Sequence, residues 1–204
     1  MDLIAAFPIT IALIAANLVA SLVAFFVPDF FNQNVFKVGP ILRQREWHRV
    51  ITSGFLHVNG LHLFVNMYVL LMFGPYLEQS LGTAGYLFVY MAALIGASLW
   101  MLYDKRDEPD YSAVGASGAV SGVLTAFSLL APFTLLYLFF LVPVPAILFA
   151  AGFIAISAWL AQRGGSMVAH GAHLGGAVIG IAATILWSPD VLVRLLAGLG
   201  GGAD

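Results

Sequence analysis

Long apolar runs alternate with short polar breaks along this chain of 204 residues. A helix that crosses a bilayer needs roughly 20 apolar residues. The runs between polar breaks predict six spanning helices, at approximately residues 4–27, 54–76, 86–102, 116–130, 146–162 and 168–187. We therefore predict an all-α, polytopic membrane protein in which residues 1–204 form one domain, a bundle of six transmembrane helices.

Two of the connecting segments are long. Residues 28–49 carry eight charged or asparagine side chains, so we predict a long polar loop. Loops of this length are usually functional or contain short helices of their own. Residues 131–144 are apolar but contain Pro132 and Pro143. Because proline interrupts a helix, this segment is predicted to connect two spans along the membrane interface. The residues after 187 are predicted to form a short amphipathic tail.

Composition supports the membrane assignment and excludes other classes. The chain is 61% hydrophobic and only 9% charged, which is far from the usage of soluble proteins. It has no cysteine, so disulfides and thiolate metal sites are excluded. No basic patch suggests a nucleic-acid partner. The first apolar run follows Asp2 without a basic segment, so we interpret it as a retained span and not as a cleaved signal.

Polar residues are concentrated near the starts of the second, fourth and sixth predicted spans. The second span contains His57, Asn59, His62 and Asn66, and buried polar groups are costly in a membrane unless they serve a function. Helices two, four and six start on the same side of the membrane. We therefore expect His62, Ser117 and His173 to reach a similar depth and to form one site.

Glycine spacing predicts that the fourth and sixth helices touch. Gly118 and Gly122 share one face of the fourth helix, and Gly176 and Gly180 share one face of the sixth. Small residues four apart allow two membrane helices to approach closely. Gly171 and Gly175 repeat the same spacing on the sixth helix. Contact between these helices would bring His173 towards Ser117.

Ser117 and His173 are a plausible nucleophile and base. A serine hydroxyl needs a base to take its proton, and histidine is the usual one. His62 and Asn66 lie on one helical face, and the Ser117 N–H lies at a helix N-terminus, so these groups are candidate donors to an oxyanion. No carboxylate lies within a predicted span, which favours a Ser-His dyad over a triad.

Three motifs together resemble the rhomboid family of intramembrane serine proteases. They are Arg49 with His57-Val58-Asn59-Gly60-Leu61-His62-Leu63-Phe64-Val65-Asn66, then Gly115-Ala116-Ser117-Gly118, then Ala172-His173-Leu174-Gly175-Gly176 with Gly180. The resemblance covers nearly the whole chain and corresponds to the minimal six-helix form. It implies that the long first loop, with Arg49, lies partly in the membrane interface.

The resemblance also implies roles for individual residues. Ser117 is the nucleophile, His173 is the general base and acid, and His62, Asn66 and the Ser117 amide form the oxyanion hole. His57 has a structural, water-organising role, and Gly115, Gly118 and Gly176 support the site. No metal and no cofactor are expected. Ser121 stands where many members have a tyrosine that stacks on the base, and His48 stands where tryptophan is usual, so the base must be oriented by another group.

Several alternatives remain open from the sequence. Ser117 could be a packing residue, Ser121 could be the nucleophile, and His170 could replace His173 as the base. The four histidines His57, His62, His170 and His173 could form a membrane metal site, although no carboxylate accompanies them within a span. A non-catalytic protein that binds transmembrane clients is a further alternative. A transporter is disfavoured because ionisable groups are not distributed through the spans.

The sequence thus predicts an intramembrane serine endopeptidase that cleaves transmembrane or juxtamembrane segments of other membrane proteins within the lipid bilayer. Helices that unwind easily are the expected substrates. Gly164, Gly165 and Ser166 are expected to form a mobile lid. We expect a multi-pass protein of a bacterial-type cell membrane.

Two arguments about membrane orientation disagree. Seven of the eight Lys and Arg residues lie in loops on the side of the predicted site, namely Lys37, Arg43, Arg45, Arg49, Lys105, Arg106 and Arg163. The positive-inside rule would place this side in the cytoplasm. The resemblance implies the opposite, with the site opening to the outer side, and this is the orientation that we predict.

Overall fold

The computed structural model describes residues 3–138, 141–163 and 169–200. The helices are α1 (Leu3–Ala6), α2 (Pro8–Phe26), α3 (Pro28–Asn34), α4 (Val38–Gln44), α5 (Arg49–Thr52), α6 (Gly60–Asp104), α7 (Ser117–Leu130), α8 (Ala146–Arg163), α9 (His170–Trp187) and α10 (Asp190–Gly200). A 3₁₀ turn, Ser53–Phe55, follows α5. The fold is mainly helical, as the apolar runs predict.

Four helices in the described part of the chain are long and apolar enough to cross a membrane: α2, α6, α8 and α9. The 14 residues of α7 form a shorter apolar helix. At a rise of 1.5 Å per residue, the 45 residues of α6 would extend about 68 Å, more than twice the thickness of a bilayer core. The protein is therefore a multi-pass membrane protein, and the count of six spans stays a prediction.

A single glycine divides α6. Gly82 has φ 71° and ψ 165°, a conformation that a side chain would strain, and helical geometry holds on both sides of it. The predicted spans 54–76 and 86–102 imply a break of several residues between them, and this prediction is wrong in extent because only Gly82 leaves the helix. The prediction that the second helix begins at residue 54 is also wrong. The helix begins at Gly60, where the Asn59 side chain accepts a hydrogen bond from the His62 N–H (2.8 Å).

Two short antiparallel sheets depart from the predicted all-α fold. β1 (Phe36–Lys37) pairs with β2 (Ser112–Ala113), which joins the first loop to the segment that leads into α7. β3 (Leu135–Leu138) and β4 (Val142–Pro145) form a second pair. Residues 131–144 were predicted as an irregular connection, and the prolines that exclude a helix there are compatible with an exposed, edge-type strand.

The helix α7 is enclosed by its neighbours. Every residue from Gly118 to Ser128 is buried, and the helix lies between α6 and α9. Six of these eleven residues are glycine, alanine or serine, which permits close backbone packing. The N-terminus of α7, where Ser117 lies, is therefore held firmly at the centre of the bundle.

The segment before α6 is folded by hydrogen bonds from a buried arginine. Arg49 is 7% exposed, and its Nη1 donates to the carbonyl oxygens of Asn32 (2.7 Å) and Val35 (2.9 Å). Its Nε pairs with the Glu46 carboxylate at 2.5 Å. These bonds connect α3 and α5 and so fix the path of the chain towards His57 and the start of α6.

One carboxylate is buried, contrary to the sequence interpretation. Glu78, which the sequence places at a helix end outside the predicted spans, is 5% exposed within α6 and bonds to the start of α2. Burial is possible because its oxygens accept hydrogen bonds there. The predicted lid residues Gly164, Gly165 and Ser166 lie outside the described residues.

Candidate active site

Ser117 is the first residue of α7, and a glycine turn leads into it. Gly115 has φ 129°, a value that favours glycine, and its N–H donates to the carbonyl of Ser53 (3.1 Å). Because Ser117 begins the helix, its own N–H has no acceptor within the helix. The side chain is partly exposed. Ser117 thus carries both a hydroxyl and a backbone N–H without an acceptor in the helix. In acylation of a serine, the hydroxyl is the nucleophile and such an N–H can donate to the oxyanion.

His62 lies beside the same turn. A Cβ atom built on Gly115 would lie 2.6 Å from Cε1 of His62 and 3.7 Å from Oγ of Ser117. The imidazole and the hydroxyl therefore flank Gly115 on the side where a side chain would otherwise point. This explains why glycine is needed at position 115, since any larger residue would displace His62.

Asn66 lies one turn further along α6. It is 4% exposed, and its Nδ2 donates to the carbonyl of His62 (2.9 Å). An amide nitrogen carries two protons, so one N–H of Asn66 is not committed by this bond. The predicted pairing of His62 and Asn66 on one helical face is present in the structure.

The helices α7 and α9 cross at glycines, as their spacing predicts. A Cβ built on Gly176 would overlap the carbonyl oxygen of Gly118, and a Cβ built on Gly180 would overlap the backbone of Gly122. The Thr125 hydroxyl also donates to the carbonyl of Ala177 (3.1 Å). These contacts confirm that the two helices touch through their backbones.

This crossing brings the segment of His173 to the segment of Ser117. A Cβ built on Gly118, next to Ser117, would lie 3.5 Å from the carbonyl oxygen of Ala172, next to His173. Both functional side chains are partly exposed at the same end of the crossing. The arrangement allows a hydroxyl on α7 and an imidazole on α9 to face one space.

Two aromatic rings border His173. The Phe153 ring of α8 is stacked on it, with ring centroids 6.0 Å apart and an interplanar angle of 27°. The His170 ring meets it edge-on at 5.8 Å. Ser121 does not border His173 in this way, because its hydroxyl donates to the carbonyl of Ser117 (2.7 Å). The sequence analysis did not identify Phe153, since nothing local distinguishes it from Phe149 in the same apolar run.

His57 is held by Ser21 of α2. The Ser21 hydroxyl donates to the carbonyl of Phe55 (3.0 Å) and lies 2.8 Å from Nδ1 of His57. The hydroxyl of Ser21 has one proton and uses it in the bond to Phe55, so the bond between Ser21 and His57 must use a proton on Nδ1 of His57. Nε2 of His57 is then an acceptor. The His57 ring lies edge-on to His62, with centroids 4.9 Å apart. Ser21 was missed, although Thr10, Asn17 and Ser21 mark one face of α2.

A cavity of about 40 Å³ adjoins Ser117. Its polar lining includes Ser53, Ser98 and Ser117. A water molecule needs roughly 10–15 Å³ of such volume and two or more polar partners. The cavity is therefore large enough for a water molecule beside Ser117.

The described residues hold no cluster of three or more His, Asp or Glu side chains that could bind a metal ion. His57 and His62 are neighbours, and His170 and His173 are neighbours. In both pairs the two imidazole rings meet edge to face.

Comparisons with known proteins agree with the motifs. A sequence model of the Rhomboid domain matches residues 44–190. The chain is 32% identical over 156 residues to RHOMBOID-like protein 12, mitochondrial, of Arabidopsis thaliana, covering 69% of this chain and 46% of that protein. It is 40% identical over 139 residues to Rhomboid protein 1, mitochondrial, of Saccharomyces cerevisiae, covering 65% and 39% of the two chains.

A bacterial relative carries a protease name. The putative rhomboid protease YdcA of Bacillus subtilis is 39% identical over 83 residues, which is 40% of each chain. This chain spans less than half the length of each of these three relatives. Since two of them are named as mitochondrial proteins, they give no support for the predicted bacterial-type membrane. The Rhomboid domain match covers most of the chain and contains all three polar motifs, and the chain therefore belongs to the rhomboid family, which includes serine proteases.

Proposed function

We propose that this protein is an intramembrane serine endopeptidase that works through a Ser117–His173 dyad. The observation that carries the proposal is the crossing of α7 and α9 at Gly118 and Gly176, which lies next to both residues. The crossing supports the proposal because a helix-start serine and a histidine of a second helix lie near the same end of it, and His62 lies near Ser117.

In the proposed reaction His173 takes the proton of the Ser117 hydroxyl as Oγ attacks the carbonyl carbon of the scissile peptide bond. His173 then gives this proton to the leaving amine, and an acyl-enzyme ester remains on Ser117. A water molecule, deprotonated by His173, attacks the ester and releases the new carboxyl end. The proton returns to Ser117 Oγ, so the dyad is regenerated.

Three donors are proposed to stabilise the oxyanion that forms in both steps. They are the N–H of Ser117, the imidazole of His62 and the remaining N–H of Asn66. Preorganised donors of this kind contribute much of the rate in acyl transfer, and loss of one lowers kcat about 10²–10³-fold in a comparable hydrolase. The position of His62 beside Gly115 and Ser117 supports its inclusion.

Water is the second reactant, and a bilayer excludes it. The cavity beside Ser117 is a suitable place for it, because the serines Ser53, Ser98 and Ser117 are among its lining residues and can bond to water. His57, fixed by Ser21, is proposed to organise the polar surroundings of His62. No cofactor or metal takes part in this mechanism.

The proposed substrates are single-pass or other transmembrane proteins. A helix hides its carbonyl groups in hydrogen bonds, so cleavage requires local unwinding near the membrane surface. Segments with glycine, proline or other weak helix formers should be cleaved most readily. The membrane that contains the protein is proposed, from the sequence alone, to be of the bacterial cell type.

A fluorophosphonate probe tests the dyad directly. We expect the folded, detergent-solubilised protein to be labelled, and expect labelling to be lost in Ser117→Ala and in His173→Ala. Ser121→Ala is the matched control, since Ser121 also lies on α7 and its hydroxyl donates to the carbonyl of Ser117. Labelling of Ser117→Ala, or none of the wild type in lipid and in detergent, would contradict the proposal and favour a client-binding protein.

A further inference from the structure

The orientation of the proposed base depends on a ring from another helix. Phe153 of α8 lies nearly parallel to the imidazole of His173, with a centroid separation of 6.0 Å. This is within the range in which aromatic pairs attract each other beyond simple burial. The neighbouring His170 meets the same imidazole at 90°. Together the two rings restrict rotation of the His173 side chain.

We propose that Phe153 is a positioning residue for His173, so that the base is correctly oriented only while α8 is docked on α9. This inference rests on the proposed function. Phe153 does not touch the reacting atoms. It acts through His173, by holding the imidazole plane in the orientation from which a ring nitrogen can reach the Ser117 hydroxyl.

The helix α7 offers no side chain for this purpose. Ser121, one turn after Ser117, is buried and its hydroxyl bonds to the backbone of its own helix. A serine at this position cannot stack on a ring. The aromatic ring that lies nearly parallel to His173 therefore comes from α8.

Packing of α8 makes this support conditional. The buried residues of α8 are Ala146, Ala150 and Ser157, and Phe153 falls on the same helical face by its spacing. Phe153 is thus the large side chain on a docking face of small residues. Leu148, Ile156 and Trp159, on other faces, are more than half exposed. A helix held by so little buried surface can move at small cost, and the ring moves with it.

The test compares variants that remove or keep the ring. Phe153→Leu removes it, Phe153→Met removes it while filling more of the space, and Phe153→Tyr keeps it. Phe149→Leu is the matched control, since Phe149 lies one turn earlier on α8 and is also partly buried. We expect the Leu and Met variants to lower kcat and the rate of fluorophosphonate labelling about tenfold, with KM within about twofold. Phe153→Tyr and Phe149→Leu should stay within about twofold of wild type.

An NMR measurement reports on the ring without using activity. The ring current of an aromatic side chain shifts the signals of protons close to it, so the imidazole signals of His173 should depend on the Phe153 ring. With labelled histidine and His173→Ala for assignment, we expect these signals to move in Phe153→Leu and not in Phe149→Leu. Ala150→Leu, which enlarges the docking face, should give both the change in the His173 signals and the slower labelling.

The possible results separate this inference from the proposed function. If Phe153→Leu and Phe153→Met are labelled at the same rate as the wild type, the inference is overturned. An equal loss in Phe149→Leu would also overturn it, since it would indicate general loosening of α8. If the His173 signals respond to Phe153→Leu but the folded wild type is not labelled, the proposed function fails, and the positioning role fails with it while the ring contact stands.

Discussion

Glu78 and Thr10 are joined by two hydrogen bonds across 68 positions of sequence. Oε2 of Glu78 accepts from the Thr10 N–H (2.9 Å) and from its hydroxyl (2.8 Å), and Oε1 accepts from the N–H of Ile9 (2.8 Å). These N–H groups belong to the first turn of α2 and have no acceptors within the helix. A carboxylate here also complements the positive end of the helix dipole. The three hydrogen bonds to Glu78 connect α2 to the first half of α6.

Removal of this carboxylate should destabilise the protein. In Glu78→Ala the buried donors of Ile9 and Thr10 lose a charged acceptor, and we expect the free energy of unfolding to fall by about 3 kcal/mol. Thr10→Val removes one of the three bonds and should lower it by about 1 kcal/mol. Reversible unfolding in detergent or bicelles provides the measurement. Equal effects of the two substitutions would contradict the assignment of three bonds to Glu78.

A methyl group at the α7–α9 crossing should be severely damaging. In Gly176→Ala the new Cβ would overlap the carbonyl oxygen of Gly118, a backbone atom that no rotamer change can move. We expect destabilisation of about 3 kcal/mol and loss of probe labelling at Ser117. Gly152→Ala is the control, because a Cβ there meets no atom within 4 Å. If Gly176→Ala behaves like Gly152→Ala in both measurements, the helices do not cross at this point.

Loss of the Ser21 hydroxyl should impair the site from a distance. Ser21→Ala leaves Nδ1 of the buried His57 without its partner, which costs about 1–3 kcal/mol of stability. Because His57 packs edge-on against His62, we also expect slower cleavage through a lower kcat. Ser128→Ala is a matched control, since this buried serine bonds only to the carbonyl of Leu124 in its own helix. A Ser21→Ala enzyme with wild-type stability and kcat would show that His57 does not depend on Ser21.

The membrane orientation can be decided with single cysteines, because the chain has none of its own. Asp107 follows α6 on the side of the candidate site, and its side chain is 90% exposed. Arg194, in α10 beyond the other end of α9, is 61% exposed. From the family resemblance we expect an impermeant maleimide added to intact cells to label Asp107→Cys and not Arg194→Cys. The reverse pattern would support the positive-inside argument.

Buried Arg49 bears on that argument. Its guanidinium is bonded to two backbone carbonyls and to Glu46, so the fold itself requires a cation there. A charge with a structural role of this kind counts less as an indicator of topology than a free basic residue. The sequence by itself cannot distinguish an arginine that the fold requires from a free one, since each is simply an arginine in a polar loop.

The sequence by itself determined the features that are local. The apolar runs predicted where α2, α7, α8 and α9 lie, because a membrane helix must present apolar side chains over a fixed length. The spacing of Gly118, Gly122, Gly176 and Gly180 predicted the α7–α9 crossing, because small residues four apart occupy one helical face. The motifs around His62, Ser117 and His173 were recognised from residue type and order.

Only the tertiary structure decided which distant side chains meet. Phe153 on His173, Ser21 on His57 and Glu78 on Thr10 are pairs between different helices, and no periodic pattern specifies which residue of an apolar run faces which neighbour. The same holds for the strand pairing that joins Phe36 to Ala113. Local sequence sets the face of a helix, whereas the partner of that face depends on how all the helices pack together. The support of the site therefore became visible only in the folded chain.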